Sequence, residues 1–385
     1  MLNSIKRTLL NLAGFVLKKT TLERINTANT NRMILLKPDA IGDYIIARNL
    51  MNYYIQHPAN KNTEFYLIAN SKLKTLIDST DKGLYKEILY LDNSITSKFK
   101  KLYRFYFRIN KLKSSRVLFP VYSPTHEMDE LVMMTGAPEK FGIKGDLVNK
   151  EQGTSPKGKV AYTMLVNVDA IHGSEFNHEF SKMKLFFEAI LDEKIPISKP
   201  VLPSTITKIK FNRIVVCPGS AGAYKIWSPE NYAALVDRIK KEHPQLSIDI
   251  ICGPGEEYLG EKIKAQTGSF NDLINVKDIS VLCTEIEKSD LVISNDSAPI
   301  HIATALDIYS VCIFNGSRYG RFVPYPHEIT DKSLAVLPPQ VQKKMENGNP
   351  EYMQYLYRNL TGENINLIGV EDVLKAVNNI LLKLA

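Results

Sequence analysis

Short apolar runs alternate with amphipathic stretches along most of the chain. In the first half, segments such as 42–56, 71–79 and 96–112 carry apolar residues at helical spacing. Between them lie runs with the length and composition of buried strands: RMILLK (32–37), FYLIA (65–69), EILYL (87–91) and RVLFP (116–120). Short apolar strands separated by helices predict a parallel sheet with helices on both faces.

The same alternation restarts after an interruption. The segment IPISKPVLPSTITKIK (195–210) holds three prolines and shows no helical period, so we interpret it as a linker. Strand-like runs then return at RIVVCPG (213–219), SIDIICG (247–253), DLVISN (290–295) and YSVCIFN (309–315). The pattern therefore predicts an α/β fold with two Rossmann-like domains.

These boundaries divide the chain into five segments. The expected segments are a basic amphipathic N-terminal segment (1–30), an N-terminal Rossmann-like domain (31–195), a linker (196–210), a C-terminal Rossmann-like domain (211–366), and a closing helix (367–385) that packs back toward the N-terminal domain. A length of 385 residues agrees with two domains of ordinary size.

Composition and charge narrow the choice of partners. Hydrophobic residues make up 44% and charged residues 23%, which is typical of a soluble globular protein. The 49 basic against 41 acidic residues leave a net charge of +8, which favours polyanions or anionic surfaces. No nucleic-acid-binding motif is present, so nucleic acid is not an expected partner.

The first residues bear on location. In SIKRTLLNLAGFVLKK (4–19) apolar positions recur at helical spacing between basic residues, and two lysines stand where a signal peptide would have its small-residue cleavage site. No apolar run reaches the roughly 18 residues that span a bilayer. We therefore expect a cytoplasmic protein. Residues 1–30 either lie on the anionic inner face of the cytoplasmic membrane or dock on the protein's own surface.

Ligands of open α/β sheets bind where the strands end, and the first such junction here is KPDAIGDYIIA (37–47). Asp43 stands at the predicted start of a helix. It would serve either as an ordinary helix cap or as a general base at the edge of a cleft. Gly42 beside it would let a substrate approach closely.

Two further junctions lie in the second half. CPGSAGAYKIWSPENY (217–232) is a glycine-rich turn in which Gly219 and Ser220 would expose N–H groups to phosphate, and Lys225 would neutralise it. ICGPGEEYLGEKI (251–263) places Glu256 and Glu257 after a glycine turn. An acid at that place favours the helix start and can also hold ribose hydroxyls.

The last junction is VISNDSAPIHIATALDI (292–308), where a strand ends in Asn-Asp-Ser. Asp296 and Ser297 would cap the next helix. We expect the N–H groups of Ser297, Ala298 and Ile300 to bind a pyrophosphate, with His301 one turn further on as an additional donor.

Four of these segments, ILLKPDAIGD, CPGSAGAYKIWSPENYAALV, GPGEE and ISNDSAPIHIATAL, resemble glycosyltransferase family 9 in sequence and order. This family comprises the heptosyltransferases of the lipopolysaccharide inner core. The resemblance implies a GT-B fold, with two Rossmann-like domains whose parallel sheets face an interdomain cleft. It also implies an ADP-heptose donor on the C-terminal domain, a glycan acceptor on the N-terminal domain, and an inverting reaction with no metal and no cofactor.

The resemblance also assigns roles by position. It implies that Asp43 takes the proton of the acceptor hydroxyl and that Lys225 binds the donor phosphates. The remaining donor-binding positions would be Gly219, Ser220, Glu256 or Glu257, Asp296, Ser297, Ala298 and His301. Ala298 departs from the pattern, because the family often has glycine there. The Thr-Pro that usually follows the first motif is also missing, since the chain has IIARNL.

Two other functions remain open from the sequence. A UDP-sugar 2-epimerase would use the same pair of Rossmann-like domains, and a non-catalytic nucleotide-sugar-binding protein would retain the loops but not the chemistry. The expected partners are an ADP-sugar donor and the lipopolysaccharide core or another glycan as acceptor. The basic stretch KFKKLYRFYFRINKLK (98–113) either holds a lipid-borne acceptor or is a solvated helix face.

Overall fold

The computed structural model describes residues 29–92, 99–151, 162–169, 178–204, 206–207, 210–346 and 350–384. Of the predicted N-terminal segment 1–30, all but the last two residues lie outside this part. The described residues form two α/β units, each built on a parallel sheet of six strands. This architecture confirms the predicted fold class.

The first unit comprises the described residues within Met1–Tyr44, Leu50–Ile171 and Lys182–Ile195. Its sheet has the strand order β3-β2-β1-β4-β5-β6. The elements from β1 to α6 are β1 (Asn29–Lys37), α1 (Ile41–Gln56), β2 (Glu64–Asn70), α2 (Lys74–Thr80), β3 (Glu87–Leu91), α3 (Phe99–Lys111), β4 (Ser114–Phe119), α4 (His126–Met134), β5 (Glu139–Lys144), α5 (Val148–Glu151), β6 (Met164–Asn167) and α6 (Glu179–Leu191).

Alternate residues of β1 serve the two faces of this sheet. Ile34 and Leu36 belong to the core that α3 completes with Phe105. Met33, on the other parity, lies against α1, whose Tyr54 hydroxyl is 3.8 Å from the Met33 sulfur. Because both faces are covered, β1 carries a continuous apolar run rather than an alternating one.

The second unit comprises the described residues within Ile45–Asn49, His172–Ser181 and Pro196–Ala385. Its sheet has the order β12-β11-β10-β7-β8-β9. The elements are β7 (Arg213–Cys217), α7 (Pro229–Glu242), β8 (Ser247–Cys252), α8 (Glu257–Lys264), β9 (Asp272–Asn275), α9 (Ile279–Glu287), β10 (Leu291–Asn295), α10 (Ala298–Ala305), β11 (Tyr309–Ile313), β12 (Ser333–Val336), α11 (Pro339–Glu346), α12 (Pro350–Arg358) and α13 (Val370–Leu384).

The strand order of the second unit changes direction at β7. This strand pairs with β8 on one side and with β10 on the other, and all three run parallel. A crevice at the carboxyl ends of the strands is expected where the order reverses. The loops that follow β7, β8 and β10 are therefore the place in this unit to look for a ligand.

The closing helix α13 packs within the second unit. Val373, Val377 and Ile380 lie on one helical side and join the core that also contains Trp227. Its apolar side covers the sheet of its own unit, since α13 contacts β11, β12 and α7. The expected packing of the segment 367–385 toward the N-terminal domain stays a prediction.

Within the described residues, no helix has both the length and the hydropathy required to cross a membrane.

Candidate functional site

Three adjacent loops carry most of the predicted site residues in the second unit. They follow β7, β8 and β10, which are neighbours in the sheet. Because parallel strands end at the same edge, the glycine-rich turn after β7, the glycine turn after β8 and the start of α10 all meet there.

Asn295 fixes the loop after β7. Its side chain is fully buried, and its Nδ2 donates to the carbonyl oxygen of Pro218 at 2.7 Å. The backbone N–H of Trp227 donates to its Oδ1 at 3.1 Å. One carboxamide therefore holds both ends of the segment that contains Lys225. From the sequence, Asn295 is only the polar residue at the end of a strand; a polar residue that closes an otherwise apolar strand was the available signal.

Lys225 and Asp296 form a close ion pair between the β7 and β10 loops. Their side chains are 22% and 8% exposed. Burial alone would lower the pKa of Lys225, but the neighbouring Asp296 carboxylate outweighs it and raises the pKa above its ordinary value. Lys225 is therefore a cation at neutral pH, held at the strand ends.

Glu256 occupies the space beside Gly219. A Cβ added to Gly219 would lie 2.0 Å from Oε2 of Glu256, so only glycine fits there as the loops stand. The same oxygen accepts a hydrogen bond from the N–H of Gly253 at 3.2 Å. Glu257 is instead the exposed first residue of α8. Of the two acids that the sequence leaves open, Glu256 is therefore the one that lies against the glycine-rich turn after β7. Ser220 follows Gly219 directly in that turn.

The N-terminus of α10 faces the same loop. Ser297 is the N-cap residue, yet its hydroxyl donates to the carbonyl oxygen of Gly219 at 3.3 Å instead of capping the helix. Ala298 is the first helical residue, so this position needs no glycine-like backbone freedom. The N–H of Ile300 is already engaged by the Ser297 carbonyl at 3.1 Å, unlike the expectation that it points at a ligand.

His301 lies one turn into α10 and is buried. Its Nδ1 is 2.8 Å from the hydroxyl of Tyr325. Burial, aided by the charge of Lys225, lowers the pKa of His301 to about 4, and Asp296 only partly opposes this. The imidazole is therefore neutral at physiological pH. It can offer an anion a hydrogen bond but no charge.

Asp43 belongs to the first unit. It lies in the first turn of α1 together with Gly42, and both are partly exposed. The N-cap position is taken by Ala40, so the simple interpretation of Asp43 as the cap does not apply. Lys37, fully buried at the end of β1, donates to Asp39 Oδ2 at 2.8 Å and to the carbonyl oxygen of Pro120 at 3.1 Å. These bonds hold the short loop that leads into Asp43.

Among the residues that the structure describes, no three His, Cys, Asp or Glu side chains form a group suited to a metal ion.

The sequence of the second unit carries a known family pattern. Residues 180–353 match the model of Glycosyltransferase family 9 (heptosyltransferase). Over this range the chain is similar to glycosyltransferase family 9. The matched range contains every second-unit residue of this candidate site and begins well after Asp43.

Individual members of glycosyltransferase family 9 are similar over part of their length. Lipooligosaccharide heptosyltransferase 2 of Campylobacter jejuni is 27% identical over 179 residues, which is 42% of this chain and 55% of that protein. The alignment thus spans about half of that relative.

Solved structures of the family share the fold over nearly the whole chain. The glycosyl transferase family 9 structure from Veillonella parvula has a TM-score of 0.65 at 15% identity, covering 92% of this chain and 98% of its own. The E. coli heptosyltransferase WaaC with ADP-2-deoxy-2-fluoro heptose has a TM-score of 0.62 at 12% identity, covering 90% and 99%. At these identities the likeness establishes the GT-B fold and nothing finer.

Proposed function

We propose that the chain is an inverting, metal-independent glycosyltransferase. It moves a heptose or a related sugar from an ADP-sugar to the inner core of lipopolysaccharide, with a Kdo–lipid A or heptose acceptor. The observation that carries this proposal is the cluster in the second unit, where Lys225, Glu256 and the start of α10 converge on the glycine-rich loop after β7.

The cluster suits a nucleoside diphosphate leaving group. As the bond to the sugar breaks, negative charge develops on the diphosphate, and a fixed cation with nearby helix N–H groups stabilises that charge. Lys225 supplies the cation, and the first turn of α10 after Ser297 supplies the helix end. Glu256, which lies beside Gly219, binds the ribose in this proposal, and Ser220 and Asp296 complete the donor site. This arrangement needs no metal to neutralise the phosphates.

Asp43 is the proposed base. The acceptor hydroxyl gives its proton to the Asp43 carboxylate while the hydroxyl oxygen bonds to the anomeric carbon. The bond from that carbon to the diphosphate oxygen breaks, the electron pair leaves with ADP, and the configuration inverts. A base in the first turn of a helix is rigidly held, and the Lys37 bonds before it fix the loop that presents it.

ADP is the proposed nucleotide because the relatives are heptosyltransferases and one solved neighbour carries an ADP-sugar analogue. We further propose that the protein is cytoplasmic and that its acceptor lies in the anionic inner membrane. The family match does not favour the UDP-sugar 2-epimerase alternative. A non-catalytic binding protein would bind the nucleotide sugar but transfer no sugar, so the decisive experiment measures both sugar transfer and nucleotide binding.

The test is Asp43→Asn. General base catalysis contributes about 10²–10⁴ in rate, so turnover with ADP-heptose and a Kdo–lipid A acceptor should fall at least about a hundredfold. The ADP affinity measured by calorimetry should remain unchanged, because the proposed donor site lies elsewhere.

Glu127→Gln is the matched control, since it removes an exposed acid from the first turn of α4 in the same unit. Turnover of this variant should equal that of the unaltered protein. Near-normal turnover of Asp43→Asn would remove Asp43 from its role. ADP binding without transfer to any acceptor would favour the binding protein, and preferential UDP binding would favour the epimerase.

A further inference from the structure

Helix α3 has an outward face of unusual composition. Lys100, Arg104, Phe107 and Lys111 follow one another at spacings of four, three and four residues, which places them on one side of an α-helix. All four are exposed. We call these four residues the basic stripe.

The opposite side of α3 is committed to the core. Phe105, Tyr106 and Ile109 are buried against the sheet of the first unit. The helix cannot turn its basic stripe inward without withdrawing these side chains. The stripe is therefore a fixed outer surface, about 16 Å long at a rise of 1.5 Å per residue.

The charge of the helix has a single sign. Its sequence, FKKLYRFYFRINK, contains five basic residues and no acidic one. Arg108, beside the stripe, forms an ion pair with Glu87 of β3. Lys100, Arg104 and Lys111 remain on the stripe itself, where a polyanionic surface would meet all three at once.

Aromatic rings lie among these charges. Phe107 and Tyr103 are each 44% exposed, and the Lys111 amine stands 4.6 Å from the centroid of the Phe107 ring. Exposed aromatic side chains bordered by cations are the composition of helices that lie in the interface of anionic membranes. There the rings enter the headgroup region while the amines contact lipid phosphates.

We propose that the basic stripe docks the protein on an anionic lipid bilayer. This inference names a partner surface for the proposed function and in that sense rests on it. A bilayer suits the stripe better than a small anion does, because the charges lie in a line on a convex helix and do not converge on one point. The rings add a contribution that screening by salt would not remove.

The experiment compares two stripe variants of the full chain. Binding to vesicles of equal parts phosphatidylcholine and phosphatidylglycerol is measured by flotation, with pure phosphatidylcholine vesicles as reference. Each basic side chain near an anionic surface strengthens binding about fivefold. The double variant Lys100→Glu/Arg104→Glu should therefore weaken binding at least tenfold. Phe107→Ser should weaken binding severalfold. Added salt should then abolish the remaining binding more completely than it abolishes the binding of the unaltered protein.

Matched controls lie in the second unit. Lys343→Glu/Lys344→Glu reverses two exposed lysines of α11, with the same change in net charge, and Tyr355→Ser removes a ring that is 55% exposed on α12. Both should bind vesicles like the unaltered protein. Circular dichroism checks the fold of each variant.

Other readouts separate this inference from the proposed function. ADP affinity and transfer to a detergent-dispersed acceptor should be unchanged in the stripe variants. The docking surface is disproved if the stripe variants bind vesicles like the unaltered protein, or if their loss equals that of the α11 control. Preference of the stripe for RNA over anionic vesicles would also overturn it.

Discussion

At the scale of single residues, the ion pair of Lys225 and Asp296 explains how a cation is kept ready without a ligand. The carboxylate holds the amine at the strand ends and raises its pKa, so that no proton is lost on burial. A bound diphosphate would offer the amine more negative charge than one carboxylate. The Lys225 amine has three N–H groups, so it could donate to the phosphate while one N–H still donates to Asp296.

His301 gives a test of the buried part of the site. Its pKa is lowered to about 4 in the folded protein, against 6.5 for an unperturbed histidine, so the unfolded chain binds more protons between these values. The contribution of His301 to the free energy of unfolding should therefore be fully present above pH 6.5 and should decrease as the pH falls toward 4. A shift of this size corresponds to about 3 kcal/mol.

The measurement is urea unfolding between pH 4 and pH 8 for the unaltered protein and for His301→Gln. The stabilisation that the histidine gives relative to glutamine should shrink as the pH falls through this range. His327→Gln, which replaces an exposed histidine of the same unit, serves as control and should follow the unaltered protein. A constant difference between His301→Gln and the unaltered protein would show that the buried imidazole is not what titrates.

Residue chemistry at the strand ends was largely predictable, and the particular contacts were not. The rule that ligands bind after parallel strands selected Lys225 and Asp296 without knowledge of their pairing. The choice between Glu256 and Glu257 depends on whether the helix begins one residue earlier or later. Glu256 precedes α8 with φ −110°, and its side chain returns to the loop. A motif cannot specify a difference of one residue in a helix start.

At the scale of elements, Gly219 joins the turn after β7 to the turn after β8. A methyl group at Gly219 would meet the Glu256 carboxylate, so Gly219→Ala should displace Glu256 from its place. We expect ADP affinity to fall about tenfold or more, measured by calorimetry. Gly268→Ala, where a Cβ has nothing within 4 Å, is the matched control and should bind ADP normally.

A double variant identifies the cause. If the clash with Glu256 destabilises Gly219→Ala, the loss of unfolding free energy should disappear when Glu256→Ala is combined with it. Additive losses in the double variant would instead place the cause in the backbone of the loop.

Strands were predicted where their sequence is a continuous apolar run. The central strands β1, β7 and β10 carry continuous apolar runs and were identified from the sequence. The strands β6, β9 and β12 lie at sheet edges and are four residues long. The β9 sequence DLIN is only partly buried. Position at an edge is not the cause, because the apolar edge strand β3 (EILYL) was predicted, whereas β5 (EKFGIK) lies inside its sheet and was missed. Polar residues that interrupt a strand remove the apolar pattern that identifies it.

At the scale of the whole molecule, the two units carry different shares of the proposed reaction. Each donor-binding residue of the proposal lies in the second unit, within the range that matches the family. The proposed base and the basic stripe lie in the first unit, outside that range. The donor-binding half of the function is thus the half that sequence similarity supports, and the acceptor half depends on the structure of the first unit and its own tests.

This division predicts where a bound nucleotide stabilises the protein. A ligand that binds only the folded state adds about 2.7 kcal/mol at one hundred times its dissociation constant. Hydrogen exchange with saturating ADP should slow in the second-unit segments 218–227, 253–257 and 295–301. Exchange in the first-unit segment 64–91 should stay the same. UDP at the same concentration should protect less, because the proposed site takes an adenine nucleotide. Protection confined to the first unit would contradict the assignment of the donor to the second.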